Sequence, residues 1–214
     1  YLALNEKVVT ALPALFEQYC AQHGDTEFLV DGEIRTTFAG ILEAAREVAG
    51  ALVEGQGVKK GDRVGIAARN STNWIVAYMG VLMAGGCAAL LNGWWSGEEM
   101  AAGIELTGCK LVLADGQRAA RIAELGASCR IVVFEHDKPW REGLAQVLTA
   151  GGGAATELPE LAGDDLATIL YTSGSTGQSK GAWSDHRAVT QAVFSYVAQT
   201  LMILTHLTEM GEAP

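Results

Sequence analysis

Positive charge is scarce in this chain. Its 214 residues carry 15 Lys and Arg against 25 Asp and Glu, a net charge of −10. That balance excludes a broad nucleic-acid surface, which needs clustered cations. Cysteine is scarcer still. Cys20, Cys87, Cys109 and Cys129 form no C-x-x-C pair and have no paired histidines, which argues against zinc and against a disulfide framework. Cys87 and Cys109 lie in apolar surroundings, so buried free thiols in a reducing cytoplasm are expected. No basic segment followed by an apolar core opens the chain. One uncharged run that could be mistaken for a membrane span is broken. Ser71 to Gly97 holds no charged residue, but Gly85-Gly86 and Asn92-Gly93 divide it. A spanning helix wants about 20 continuous apolar residues. Two buried elements are predicted there, not a transmembrane segment.

Apolar residues are plentiful at 49%, enough for one large or two small domains with a sizeable core. The most informative stretch is Tyr171-Thr172-Ser173-Gly174-Ser175-Thr176-Gly177-Gln178-Ser179-Lys180-Gly181. It follows an apolar run, Leu166 to Tyr171, that reads as a buried strand. Glycine reaches backbone angles that other residues avoid, so several N–H groups can turn toward one point. Such a concavity binds anions, and the hydroxyls and Lys180 add donors and charge. A polyphosphate is the natural guest.

Two familiar phosphate loops do not fit. G-x-x-x-x-G-K-[ST] fails because Ser179 precedes Lys180 and Gly181 follows it, and G-x-G-x-x-G fails because Gly174 and Gly177 give only G-x-x-G. Gly177 to Gly181 formally matches the G-x-S-x-G nucleophile elbow. That elbow needs a tight strand-to-helix turn and a later acid and histidine. The strand is expected to end at Tyr171, too early for the turn, so a serine hydrolase is a remote alternative.

The stretch YTSGSTGQSKGA resembles the phosphate-binding signature of the adenylate-forming enzymes: acyl-CoA synthetases, luciferases and nonribosomal peptide adenylation domains. Ser179 departs from the proline usual there. Asp185-His186-Arg187 resembles the family's [ST]-H-R segment, with Asp185 in an unusual place. Upstream, Thr37-Phe38-Ala39, Gly61-Asp62-Arg63-Val64 with Asn70, Leu82 to Gly86, and Leu91 to Trp95 with Glu98-Glu99 resemble family segments in family order.

The resemblance implies an α/β fold: a mostly parallel sheet flanked by helices on both faces, part of the large N-terminal domain of an adenylate-forming enzyme. It implies an N-terminal α/β subdomain over 1–150, a linker over 151–165, and a loop-bearing start of the next subdomain over 166–214. The end at Gly211 to Pro214 reads as mid-loop, so a truncated chain without its C-terminal domain is expected. The implied reaction joins a fatty or aryl carboxylic acid to ATP, releasing pyrophosphate, and then passes the acyl group to coenzyme A. ATP, Mg2+ and coenzyme A are the implied cofactors. Lys180 is the candidate catalytic residue, and Thr172, Ser173, Gly174, Ser175, Thr176, Gly177 and Lys180 are the candidate ATP-binding residues. No helix is expected inside the loop, so side-chain donors must carry more than in a Walker loop. A non-catalytic nucleotide-binding module and a nonribosomal peptide adenylation domain remain alternatives. His186, Arg187, Asn70, Trp94 and Trp95 read first as packing or capping residues.

The rest of the chain alternates strands with amphipathic helices, which predicts a largely parallel sheet. Pro13 can open a helix. Asp31-Gly32 marks a hairpin. Thr37 and either Ser71 or Thr72 are helix caps, and Ser96-Gly97-Glu98-Glu99 is a capping box. A helix is expected around Trp140 to Leu148. Val189, Val193, Phe194, Val197, Leu201 and Leu204 form a helical stripe expected to face the core. His206 and Glu209 stand one turn apart without a third metal ligand nearby.

Overall fold

The computed structural model describes residues 9–126, 128–149, 157–173 and 179–211. The order is α1 (Leu12–His23), β1 (Glu27–Asp31), β2 (Ile34–Thr37), α2 (Phe38–Glu54), β3 (Arg63–Ala67), α3 (Thr72–Met83), β4 (Cys87–Leu90) and α4 (Gly97–Thr107). There follow β5 (Leu111–Asp115), α5 (Gly116–Glu124), β6 (Arg130–Phe134), α6 (Trp140–Gly143), α7 (Ala145–Thr149), β7 (Leu166–Ser173), β8 (Ser179–Asp185) and α8 (His186–Glu209).

Six strands form one sheet in the order β6-β5-β3-β4-β7-β8. Pairing is parallel from β6 to β7, and only β8 runs antiparallel. Alternation along each strand sorts the side chains into two cores. Val64, Ile66, Leu111 and Leu113 join α2, α3 and α7 on one face. Val112, Ala114, Cys87 and Ala89 join Met100 and Ile104 of α4 and Ile122 of α5 on the other. Helices thus cover both faces, as a parallel sheet requires. β7 and β8 lie in the same sheet as the strands before residue 151, so the chain on both sides of 151–165 builds one layer.

Local signals in the sequence match local geometry. Thr37 Oγ1 accepts from Gly40 N, and Ser71, not Thr72, caps α3 by accepting from Trp74 N. Ser96 and Glu99 close a reciprocal capping box on α4. The β1–β2 hairpin turns on Gly32 and Glu33, one residue beyond the Asp31-Gly32 signal, because Asp31 still pairs with Ile34; Gly32 takes φ 59°. The uncharged stretch from Ser71 becomes α3, a turn and β4, nearly all of it buried.

Three expectations need correction. The helix expected around Trp140 to Leu148 is two short helices interrupted at Leu144. The Gly143 carbonyl, which a continuous helix would bond to Val147 N, accepts instead from Glu135 N (2.9 Å), and Val147 N turns to the Leu144 carbonyl (2.9 Å). β7 runs two residues past Tyr171, because its pairing with β8 continues to Ser173. Beyond Val189, which packs against the core, the stripe on α8 does not face it. His186 and Thr190 are its buried residues, whereas Val193, Phe194, Val197 and Leu204 are exposed and Leu201 is 58% exposed. The first turn is pinned, with Leu12 N donating to His186 Nδ1 (3.4 Å), Thr190 Oγ1 to the Thr10 carbonyl (3.3 Å) and Arg187 N to the Gly163 carbonyl (2.8 Å). Periodicity reports an apolar face but not what lies against it.

Among the described residues α8 is the one helix long and apolar enough to cross a membrane, with mean hydropathy 1.3 over its most apolar part.

Candidate functional site

β7 is gripped from both faces before it reaches the glycine-rich loop. Tyr78 of α3 and Thr168 share a hydrogen bond of 2.7 Å on one face. On the other, the Tyr171 hydroxyl donates to the Gly103 carbonyl (2.9 Å) and lies 3.0 Å from Thr107 Oγ1. Trp95 meets the Tyr171 ring edge-on at 5.0 Å. Gly103 permits this approach, since a Cβ there would sit 2.9 Å from Trp95 and 3.1 Å from Leu91. Burial pushes the Tyr171 hydroxyl up to about 12, partly offset by Thr107, so it stays a neutral donor.

Beyond these grips the strand projects past the carboxyl end of the parallel sheet, where ligands of open α/β sheets bind. The register pairs Thr172 with Lys180 and Ser173 with Ser179. Directly opposed residues share a face of an antiparallel pair, so Thr172 and Lys180 stand together, both exposed. Lys180 makes no ion pair among the described residues. Gly174, Ser175, Thr176 and Gly177 lie outside the described residues, as does Gln178. The connection joins two strands of a hairpin, and the next helix, α8, begins only at His186.

This geometry decides one alternative. Ser179 lies on β8, paired across the hairpin with Ser173. A nucleophile elbow needs its serine on a strand-to-helix turn, so the hydrolase reading fails. The odd position of Asp185 also has a cause. It caps α8, accepting from Ala188 N at 2.7 Å, and Asp caps a helix as well as Ser does.

The model of a family described as AMP-binding enzyme matches residues 16–209. The chain belongs to that family. Among relatives of this AMP-binding chain, a 4-coumarate--CoA ligase-like protein of Oryza sativa is 34% identical over 162 residues, 70% of this chain and 27% of the relative. A linear gramicidin synthase of Brevibacillus parabrevis is 29% identical over 182 residues, 85% of this chain and 2% of that protein. The crystal structure of ATP-bound MatB from Rhodopseudomonas palustris superposes with a TM-score of 0.76 at 26% identity, over 89% of this chain and 38% of that one. The chain thus spans well under half the length of these relatives.

Two residues of the AMP-binding chain that bear on the site escaped the sequence reading. Asp115, at the carboxyl end of β5, is buried and accepts from Arg69 N (2.9 Å), Arg118 N (3.0 Å) and Arg118 Nη1 (2.8 Å). Arg118 Nε reaches the Gly93 carbonyl at 3.0 Å, and Arg121 Nη1 the Trp95 carbonyl at 3.1 Å. The ends of β3, β4 and β5 are therefore tied to one buried ion pair. The tie holds the segment from Asn92 to Ser96 that supplies Trp95 to Tyr171. An aspartate closing an apolar strand, with arginine three residues on, was the available signal. Of the residues read as packing or capping, Trp95 packs and His186 is buried. Asn70 and Arg187 are exposed, and Trp94 is 91% exposed. Trp94 departs from expectation because its loop turns it outward after Asn92 Oδ1 accepts from Trp94 N.

Among the described residues no group of three His, Cys, Asp or Glu side chains could hold a metal ion, and His206 with Glu209 finds no third partner.

Proposed function

We propose that this chain holds the ATP phosphates in an acyl-CoA synthetase, an AMP-forming ligase that makes carbon–sulfur bonds. The observation that carries the reading is the Thr172–Lys180 pair, at the mouth of a Ser/Thr/Gly hairpin beyond the carboxyl end of the sheet. A fatty or aryl acid is the proposed substrate. The relative named as a 4-coumarate--CoA ligase-like protein supports the aryl choice and coenzyme A as acceptor. A second reading, peptide-synthetase adenylation, is favoured by the gramicidin synthase match.

In the first half-reaction a carboxylate oxygen attacks the α-phosphorus of ATP. The α–β bridging bond breaks, and pyrophosphate leaves as the acyl-adenylate forms. A fixed cation beside the leaving group stabilises charge as it builds there. Lys180 is that cation in our proposal. Thr172, Ser173, Ser175 and Thr176 donate hydroxyl hydrogen bonds, and Gly174 and Gly177 let backbone N–H groups approach the oxygens. Mg2+ would accompany ATP and supply further charge neutralisation at the phosphates; no carboxylate cluster among the described residues is assigned to hold it. In the second half-reaction the thiol of coenzyme A displaces AMP.

We further propose that residues 1–150 form the N-terminal unit, that 151–165 connects it to the loop-bearing segment 166–214, and that the protein works in the cytoplasm on fatty or aryl acid metabolism without binding nucleic acid. The four free cysteines favour a reducing compartment. By itself the chain is expected to bind phosphate weakly and not to turn over.

The test is carboxylate-dependent ATP–pyrophosphate exchange by the longest natural reading frame containing this chain, with fatty, aryl and amino acids. Lys180→Ala should slow exchange by about 10²- to 10³-fold, as loss of one preorganised charge-stabilising donor does. Exchange unchanged in Lys180→Ala would overturn the assignment, and preference for an amino acid would favour the second reading.

A further inference from the structure

At the opposite, amino-terminal edge of the sheet lies a second cleft of about 490 Å³. Three cations line it: Arg63 at the start of β3, Lys110 just before β5, and Arg130 at the start of β6. In this acidic chain many cations are matched to carboxylates. Arg35 pairs with Glu27, Arg46 with Glu17, Lys60 with Asp165, and Arg141 with Glu43 and Glu47. The three cleft cations have no such partner among the described residues.

Two of them are held rather than loose. Arg63 Nε donates to the Thr107 carbonyl at 2.8 Å, which leaves its terminal nitrogens over Gly108. Arg130 Nη2 donates to the Gln56 carbonyl at 2.6 Å. Lys110 is exposed and its side chain makes no described hydrogen bond, while its carbonyl accepts from Arg130 N at 2.8 Å. Asp62 also lines the cleft, but its Oδ2 is engaged by Lys59 N at 2.9 Å. The lining keeps a net positive balance. Gln56 lines the cleft as well, and its Oε1 is buried without a donor. Glycines 57 and 108, both at positive φ, bring bare backbone to the wall.

We propose that this cleft is a second anion site, built for the phosphate or diphosphate group of a small molecule and separate from the hairpin loop. Guanidinium groups anchored through one nitrogen present their remaining N–H donors in a fixed fork, which suits phosphate oxygens. Lys110 adds a mobile point charge. The site does not depend on the ligase assignment, because it shares no residue with the loop.

The experiment titrates the isotope-labelled chain with diphosphate at constant ionic strength and follows the amide signals of Gly57 and Gly108. Saturable shifts at both are expected. Lys110→Gln and Arg130→Gln should each weaken binding about tenfold, the loss of one charge-assisted hydrogen bond. Lys110→Gln breaks no described bond, so it carries the test if Arg130→Gln disturbs the fold. Lys180→Ala should leave these shifts unchanged, and a failure of loop binding would leave them unchanged too. Shifts that do not saturate, that chloride reproduces at equal ionic strength, or that persist unaltered in Lys110→Gln would overturn the proposal.

Discussion

Replacing Arg118 with methionine should destabilise the chain far more than an ordinary arginine substitution does. The side chains of Arg118 and Asp115 are only 10% and 3% exposed, and their charges meet at 2.8 Å. Methionine keeps the apolar stem but removes the charge. Asp115 is then a buried carboxylate with backbone N–H donors and no counter-ion. Breaking one partner of a buried pair costs about 3–5 kcal/mol. The Gly93 carbonyl loses its donor as well, for about 1 kcal/mol more. For a chain of this size each kcal/mol moves the midpoint by roughly 2–4 °C, so Tm should fall by at least about 6 °C. Urea unfolding followed by tryptophan fluorescence reads the free energy directly. The companion Asp115→Asn/Arg118→Met has no buried charge, and asparagine still accepts at the α5 cap. It should recover about 1–2 kcal/mol of the single-variant loss. If Arg118→Met stays within about 1 kcal/mol of the parent, or if the double variant is simply additive, the ion pair is not what ties these strand ends together.

Three further outcomes follow from burial and packing. In Gly80→Ala the new methyl would sit 2.8 Å from Val48 Cβ; overpacking of about 1–3 kcal/mol should outweigh a helix-propensity gain of about 1 kcal/mol, and thermal melts should show Val48→Ala relieving it. Burial pushes the thiols of Cys20 and Cys87 up from 9.0 to about 11, so the unfolded chain loses these protons first. Stability should decline as pH rises through that interval, and alanine at either position should flatten the decline. Burial lowers the His186 imidazole below its ordinary 6.5 despite Asp165 and Asp185, with Lys60 lowering it further. Its contribution is present above 6.5 and is lost as pH falls through the lowered value, and His186→Gln should remove that part of the acid limb in urea titrations.

Much of the fold was legible because short-range chemistry wrote it. The caps at Thr37, Ser71 and Ser96, the turn that starts at Gly32 and the apolar strands each carry their own instruction within a few residues. The reach of β7 was not legible, since its last two residues are strand only because β8 pairs with them. Nor was the break at Leu144, where the Gly143 carbonyl leaves the helix to accept from Glu135 N on the strand side. At the site, the spacing of Thr172, the glycines and Lys180 announced an anion loop. The buried pair of Asp115 and Arg118 stayed hidden because arginine near a helix start reads as solvated charge until three strand ends converge on it. The stripe on α8 shows the same limit, for its spacing was correct and its surroundings were not.

The pairing of Thr172 with Lys180 has a consequence for how this hairpin can vary. Side chains alternate along a strand, so what the ladder stores is parity. Inserting one residue into β8 between Lys180 and Gly181 while the pairing beyond it held would swing the lysine to the opposite face, where Tyr171 already packs. Lengthening the connection between Ser173 and Ser179 would change nothing about the lysine's side of the sheet. The loop is therefore free to evolve in length, whereas the strand that follows it is free to evolve only in steps of two.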